Sequence, residues 1–284
     1  MWWIWLVLLY GVLKGVREIC KKKALQRSSS AEVLFLYSLI SFLFLIPDIP
    51  NVFGMEPIFY LYIAIKSCII FIAWICSFKA ITKLPISLYG VLDLSRVLFA
   101  TTLGVTVLGE MMSTQHMIGL ALVCLGLLLL KWYPGMKKTK SESVKPVYVI
   151  AALVSCALNA ASGLMDKILM KDISSSQLQF WYMLFLVAMY FVYMLVTKAE
   201  VSIKRGFSNP WIWLLSILFV IADRALFIAN GMEGSSVTVM TLLKQAGCIV
   251  TILAGRFIFK EKHTTHKLIC AVVIIVGIIL GVKS

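Results

Sequence analysis

The sequence predicts an all-α polytopic membrane protein, with ten transmembrane helices in two inverted five-helix repeats. Three observations carry this. The first is composition: of 284 residues, 61% are apolar and 14% charged, and the mean hydropathy is +0.95. Soluble domains hold ~45–50% apolar and ~25% charged residues. One water-soluble core cannot hide that excess, because a folded surface still needs polar cover, so soluble enzymes are excluded. The second is spacing: apolar runs near the ~20 residues that cross a bilayer recur along the whole chain. The alternating ~10-residue strands of an outer-membrane barrel are absent. The third is a likeness between the two halves.

The spans run roughly 2–20, 32–47, 57–78, 84–108, 114–131, 146–168, 177–197, 210–230, 235–258 and 266–282. The first opens MWWIWLVLLYG, with neither a basic start nor a small-residue cleavage site, so it reads as a retained span and not a signal peptide. Lys14, Arg17 and Glu18 interrupt its second half. The second span follows the serine run Ser28–Ser30, and the seventh follows Ser174–Ser176. The fourth carries Asp93 and Arg96, the eighth Asp223 and Arg224, and the ninth Lys244 and Gln245. Asp166 falls near the end of the sixth. Connections are short, which favours antiparallel hairpins whose backbone groups are satisfied within the bilayer. The longest polar stretch, KWYPGMKKTKSESVKP from Lys131 to Pro146, divides the chain near its midpoint. The first unit is 1–135, a basic linker covers 136–145, and the second unit is 146–284.

The repeat is clearest after spans four and nine. Gly104, Glu110 and Gly126 recur as Gly255, Glu261 and Gly277, all at an offset of 151. Ser28–Ser30 and Ser174–Ser176 match more weakly, at 146. Five spans per half is an odd number, so the copies have opposite orientations, the inverted design of secondary transporters. A span ending Leu108-Gly109-Glu110, with Gly119 and Gly126 following, resembles the EamA domain. Two such domains in tandem are the architecture of the ten-helix drug/metabolite transporter superfamily, which includes nucleotide-sugar and triose-phosphate transporters. The resemblance covers the whole chain and implies that fold and a transport activity. The sequence departs from the pattern in three places: Asp93-Leu-Ser-Arg-Val where the family often has a proline, Lys260-Glu261 for Gly-Glu, and Cys270 for the second glycine. The run LLKQAGCIV from Leu242 is similar to the lysine-bearing ninth helix of the sugar-phosphate branch.

Candidate site residues follow from charge within the spans. Six cations lie there, Lys14, Arg17, Lys66, Arg96, Arg224 and Lys244, with three acids equally deep, Glu18, Asp93 and Asp223. A Lys or Arg at a helix centre costs roughly 2.5–3.5 kcal/mol on insertion scales, so six facing lipid would cost roughly 15–20 kcal/mol. They must face the bundle interior or a water-filled cavity. Lys14 and Glu18, four apart, share a helix face and suit an ion pair; Asp93 and Arg96 are three apart. Asp223, Phe227 and Asn230 follow one face of span eight. The repeat offset carries Asp93 onto Lys244, so opposite charges occupy corresponding positions. Three acids leave about three cations unpaired. The predicted substrate-binding set is therefore Lys244, Arg96, Asp93, Arg17, Lys14, Asp223, Arg224 and Gln245.

Other signals are bland. His263 and His266 lie in a loop with no nearby cysteine or acid cluster, so no metal or cofactor site is predicted. The seven cysteines are odd in number, contain no CxxC and sit in apolar runs, as small buried apolar residues do. Glu110 and Glu261 read as helix caps or loop–helix contacts. Trp2, Trp3, Trp5, Trp211 and Trp213 fit interfacial belts. No ATPase or hydrolase motif occurs, and the +14 net charge comes mostly from short loops, with no aromatic-and-basic groove for nucleic acid.

The expected function is a secondary transporter for a small polar anionic or zwitterionic metabolite, by alternating access through a central cavity. Lys244 and Arg96, joined by Arg17 or Lys14, would bind the anion. Asp93 would hold a cationic group or a coupling proton, or orient Arg96. Rival readings are a flippase for a phosphate-bearing lipid head group, a membrane-embedded transferase, and a non-transporting subunit whose deep charges all pair with one another. The partners expected are the polar solute and the bilayer, with the chain a monomer or homodimer in a bacterial inner membrane. Eighteen Lys and Arg lie in loops on one side and three on the other, with the termini on the latter. The positive-inside rule puts both termini outside. The family resemblance implies cytoplasmic termini; the charge bias, spread over five loops, is the reading adopted.

Overall fold

In the computed structural model, residues 2–109, 111, 113–131, 145–198, 202–261 and 264–282 are described. Among them the chain is helical, with no strand. Glu110, His263, the side chain of His266 and linker residues 136–144 lie outside the described residues, so the readings made for them stay with the sequence.

The helices are α1 (Trp2–Ala24), α2 (Ser30–Leu43), α3 (Pro57–Lys83), α4 (Ile86–Asp93), α5 (Arg96–Leu108), α6 (Thr114–Lys131), α7 (Pro146–Leu169), α8 (Ser175–Thr197), α9 (Ile203–Phe207), α10 (Pro210–Gly231), α11 (Val237–Lys244), α12 (Ala246–Phe257) and α13 (Thr264–Val282). Among the described residues, six segments are long and apolar enough to cross a membrane: α3, α4 with α5, α7, α8, α10, and Val239–Phe257. Shorter apolar helices cover Ser30–Leu43, Thr114–Gly126 and Leu268–Gly277.

Local chemistry explains the boundaries. Proline opens α3, α7 and α10 at the first helical position, where its missing N–H costs nothing. The two serine runs supply caps for α2 and α8. The Ser29 side chain accepts from the Glu32 N–H, and Ser174 forms a reciprocal capping box with Gln177, satisfying otherwise orphaned donors. The predicted span 32–47 ends early, at Leu43, and passes into a 3₁₀ turn over Ile46–Asn51. Pro47 and Pro50 withhold the donors an α-helix would need there. Spans four and nine are each two helices, broken at Leu94-Ser95 and at Gln245. Gly109 ends α5 in the left-handed region at φ +66. Its counterpart at the repeat offset, Lys260, adopts φ +51, so a lysine holds a conformation that normally favours glycine.

Packing has a mirrored pattern. Helix α1 packs on α10 as α7 packs on α3; α1 meets α12 as α7 meets α5; α4 meets α12 as α5 meets α11. Helix α2 lies on α8, and α6 on α13. An aromatic core joins α2, α3, α8 and α10. Trp74 makes edge contacts with Phe219 at 5.4 Å and Tyr182 at 6.4 Å, and stacks on Tyr190 at 6.4 Å.

Glycines set two close crossings, as small residues do where lipid offers no drive for helix association. Gly126 and Gly277, the repeat-related pair, sit where α6 crosses α13; a Cβ on Gly277 would lie 2.7 Å from the Gly119 carbonyl oxygen. At the α1–α12 seam, a Cβ on Gly247 would lie 2.5 Å from the Gly11 carbonyl oxygen and 3.0 Å from the Gly15 nitrogen. Both neighbours are backbone and cannot swing aside. Gly247→Ala is expected to lower stability by about 1–3 kcal/mol, the usual cost of overpacking. Gly163→Ala in α7, whose added Cβ meets nothing within 4 Å, should instead raise stability by about 0.4–1 kcal/mol. Tm measurements on the two purified variants check the contrast; equal shifts would refute the seam.

Candidate functional site

The break in α4–α5 builds one wall of the site. Around it the hydrogen bonds tighten from four-residue to three-residue spacing: Leu94 N–H to Val91 O at 3.1 Å, Ser95 to Leu92 at 3.0 Å, and Val97 to Leu94 at 3.1 Å. Such a 3₁₀ step inside a helix often marks a functional hinge. The Cys156 thiol from α7 approaches the Leu92 carbonyl oxygen at 3.7 Å. The start of α4 is held from the other half of the chain. The Glu261 carboxylate accepts from the Ile86 N–H at 2.6 Å, the Ser87 N–H at 3.3 Å and the Ser87 hydroxyl. A carboxylate at a helix N-terminus satisfies orphan donors and suits the dipole.

Beyond the break lies a polar cavity that is partly open to solvent. Of the predicted residues, Arg17, Arg96, Asp223 and Lys244 line it. Asp93 sits just behind: it accepts from Arg96 Nη2 at 2.9 Å and from Lys14 Nζ. Lys14 and Asp93 line a second, smaller cavity with Glu18, Tyr89 and Thr251. The remaining two predicted residues are elsewhere. Arg224 pairs with Asp48 and donates to Gln179 at 2.6 Å and Ser176 at 2.7 Å. Its direction differs from that of Asp223 because successive helical residues diverge by about 100°. The buried Gln245 side chain donates to the Thr241 carbonyl at 3.0 Å and is not on the cavity wall.

The pairing of charges departs from the sequence count in detail. Arg17 Nη1 donates to Asp223 Oδ1 at 3.0 Å, with the guanidinium carbon 4.5 Å from the Phe219 ring centroid. Lys66 Nζ is 3.1 Å from Asp166 Oδ1 and 3.7 Å from the Tyr182 ring centroid. Glu18 is taken by Lys21 at 2.8 Å and not by Lys14, which reaches across to Asp93 instead. Sequence counting left about three cations unpaired. With Asp48 and Asp166 recruited and Asp93 shared, five of the six have an acid; Lys244 has neither an ion pair nor a hydrogen bond among the described residues, and its ammonium lies 5.8 Å from the Tyr10 ring centroid. Lys244 is 8% exposed. Three more donors, Arg17 Nε, Arg96 Nε and Asn230 Nδ2, are buried without a partner. Arg17, Lys66, Arg96 and Lys244 make the wall rich in cations.

Sequence reasoning left Lys66 and Asp166 out of the site set, with Asn159, Ser162, Trp74 and Tyr182. A usable signal existed in α7: Asn159, Ser162, Gly163 and Asp166 recur at intervals of three and four, a polar stripe on an otherwise apolar helix, and all four line the cavity.

The model of the EamA-like transporter family matches residues 1–132 and 146–282. No curated protein matches the chain. A solved crystal structure whose description names no activity aligns with a TM-score of 0.66 and 12% identity, over 98% of this chain and 94% of that one; this is a likeness of fold.

The Lys66–Asp166 pair is almost wholly buried, and removing one partner strands a charge. Asp166→Ala is expected to cost about 3–5 kcal/mol, whereas the double change Lys66→Met with Asp166→Leu, which removes both charges, should recover most of it. Denaturation of the single and double variants measures this. A double variant as unstable as the single would show that the loss is not electrostatic.

Proposed function

Because the chain belongs to the EamA-like transporter family, we propose that it is a secondary transporter moving a small polar anionic or zwitterionic metabolite by alternating access through the central cavity. In this reading ten helical spans form two inverted five-helix repeats, related by the exchange of α1–α6 with α7, α8 and α10–α13. The mirrored helix contacts, the repeat-related glycines and the paired breaks in spans four and nine support it. Broken helices at mid-membrane, with irregular backbone facing a cavity, are where inverted-repeat transporters place their solutes.

One observation carries the proposal: Lys244 is nearly buried on a polar cavity with no ion pair or hydrogen bond among the described residues, only the Tyr10 ring 5.8 Å from its ammonium. A lysine there is costly unless it meets water, an acid or a solute. A non-transporting subunit would pair all its deep charges, and this residue counts against that role. Lys244 and Arg96 bind the anionic group, Arg17 lends its spare Nε, and Asp93, gripped by Lys14 and Arg96, orients Arg96. The glycine seam between α1 and α12 closes the bundle beyond the smaller cavity, and its parting would open the opposite face. The basic loops lie in the cytoplasm and both termini outside, in a bacterial cell membrane.

Thermal-shift screening of the full-length protein against metabolite classes should reveal a stabilising solute, since binding to the folded state raises Tm by mass action. Lys244→Ala should abolish that shift and leave the fold intact, because it removes a ligand contact and relieves an unpaired charge. If Lys244 held a structural pair, the same change would instead cost about 3–5 kcal/mol; that loss with unchanged binding would sink the assignment. For orientation, a C-terminal reporter active only outside the cytoplasm should score positive. Activity confined to a cytoplasmic reporter would reverse the topology.

A further inference from the structure

We infer that the solute is a compact dianion, either a small dicarboxylate or a phosphate monoester. The inference rests on the transporter reading above and narrows its substrate class. The argument is a charge balance. The cavity and the network behind it hold five cations, Lys14, Arg17, Lys66, Arg96 and Lys244, and three carboxylates, Asp93, Asp166 and Asp223. Glu18 adds no compensation, because both its oxygens accept from Lys21 at 2.8 Å.

The pairing locates the excess. Arg17 with Asp223, and Lys66 with Asp166, are each neutral. Asp93 serves two cations, Lys14 and Arg96, which leaves one positive charge at the α4–α5 break. Lys244, at the end of α11 beside the matching break, contributes the other. Two positive charges therefore remain, one on each broken helix, both on or directly behind the cavity wall. While the cavity is open, water screens them. Once water is excluded in an occluded state, the low dielectric makes uncompensated charge expensive, and the enclosed solute must supply the counter-charge. A zwitterion supplies none and a monoanion one; a dianion balances the site. The Lys244 ammonium and the Arg96 and Arg17 guanidiniums, from residues that line the cavity, suit acidic oxygens through charge-assisted hydrogen bonds. Asp166 and Asp223 on the same wall repel larger polyanions.

A matched four-carbon series tests this by titration calorimetry on the full-length protein in lipid nanodiscs: succinate with two carboxylates, butyrate with one, and 4-aminobutyrate as zwitterion. Glycerol 3-phosphate is run beside them to separate the two sources of a dianion. Succinate or glycerol 3-phosphate should bind at least tenfold tighter than butyrate and 4-aminobutyrate. Lys244→Gln should cut that affinity at least tenfold and shrink the preference over butyrate. Lys244→Arg, which keeps the charge, should retain the preference and guards against a variant that fails to fold. Tighter binding of butyrate or 4-aminobutyrate, lost in Lys244→Gln, would overturn the dianion and leave the transporter reading standing. Failure of both dianions to bind through Lys244 would also overturn it, and the metabolite-class screen then decides whether the broader reading falls too.

Discussion

A lysine or arginine inside a bilayer has to reach an acid, water or a solute, and that need governs which helices of this bundle meet. Helix α1 packs on α10, and α7 packs on α3. Each contact is crossed by a single buried pair, Arg17–Asp223 in the first and Lys66–Asp166 in the second. The polarity is exchanged: α1 brings the cation to one contact, and α7 brings the acid to the other. Asp93 and Lys244, related by the repeat offset, show the same reversal. Buried pairs of this kind add little net stability compared with apolar packing. Their consequence is a restriction: a helix that slid by a turn would leave both members unpaired.

The remaining apolar surface can then be simple. Lipid tails are as apolar as leucine, so helix association relies on close fit. Gly11, Gly15 and Gly247 let α1 approach α12 at backbone distance, and Gly119, Gly126 and Gly277 do the same for α6 and α13. Tight seams along these edges and a polar interior between α3, α7, α10 and α11 give a bundle that is firm at its crossings and hollow at its centre. The two helix breaks fall at the boundary between these zones, where Glu261 fixes one end of α4 and Asp93 and Arg96 flank the other.

Much of this was legible in one dimension. The ten apolar runs each fall on a helix or a pair of helices, and the serine runs became caps because capping depends on residues three apart. The Gly126–Gly277 correspondence became a helix crossing. Deep cations faced inward, as their transfer cost requires. The helix breaks were not legible, since neither Leu94-Ser95 nor Gln245 carries the proline or glycine that usually signals one. Arg224 and Gln245 were grouped with the cavity on depth alone, and depth says nothing about direction around a helix. Asp166 was passed over for lying near a span end, although the stripe of Asn159, Ser162 and Gly163 pointed to it.

The sequence by itself determined the solvent this protein lives in, the number and rough length of its apolar segments, the kinship of its halves and the presence of costly charge within them. Each of these depends on composition or on spacing along the chain. Only the tertiary structure decided which acid neutralises which cation. Asp93 and Lys14 are 79 residues apart, and Arg17 and Asp223 are 206 apart; such partners are chosen by the lateral order and rotation of helices, which hydropathy does not encode. That choice left Lys244 on the cavity wall with no ion pair or hydrogen bond among the described residues, its ammonium 5.8 Å from the Tyr10 ring centroid.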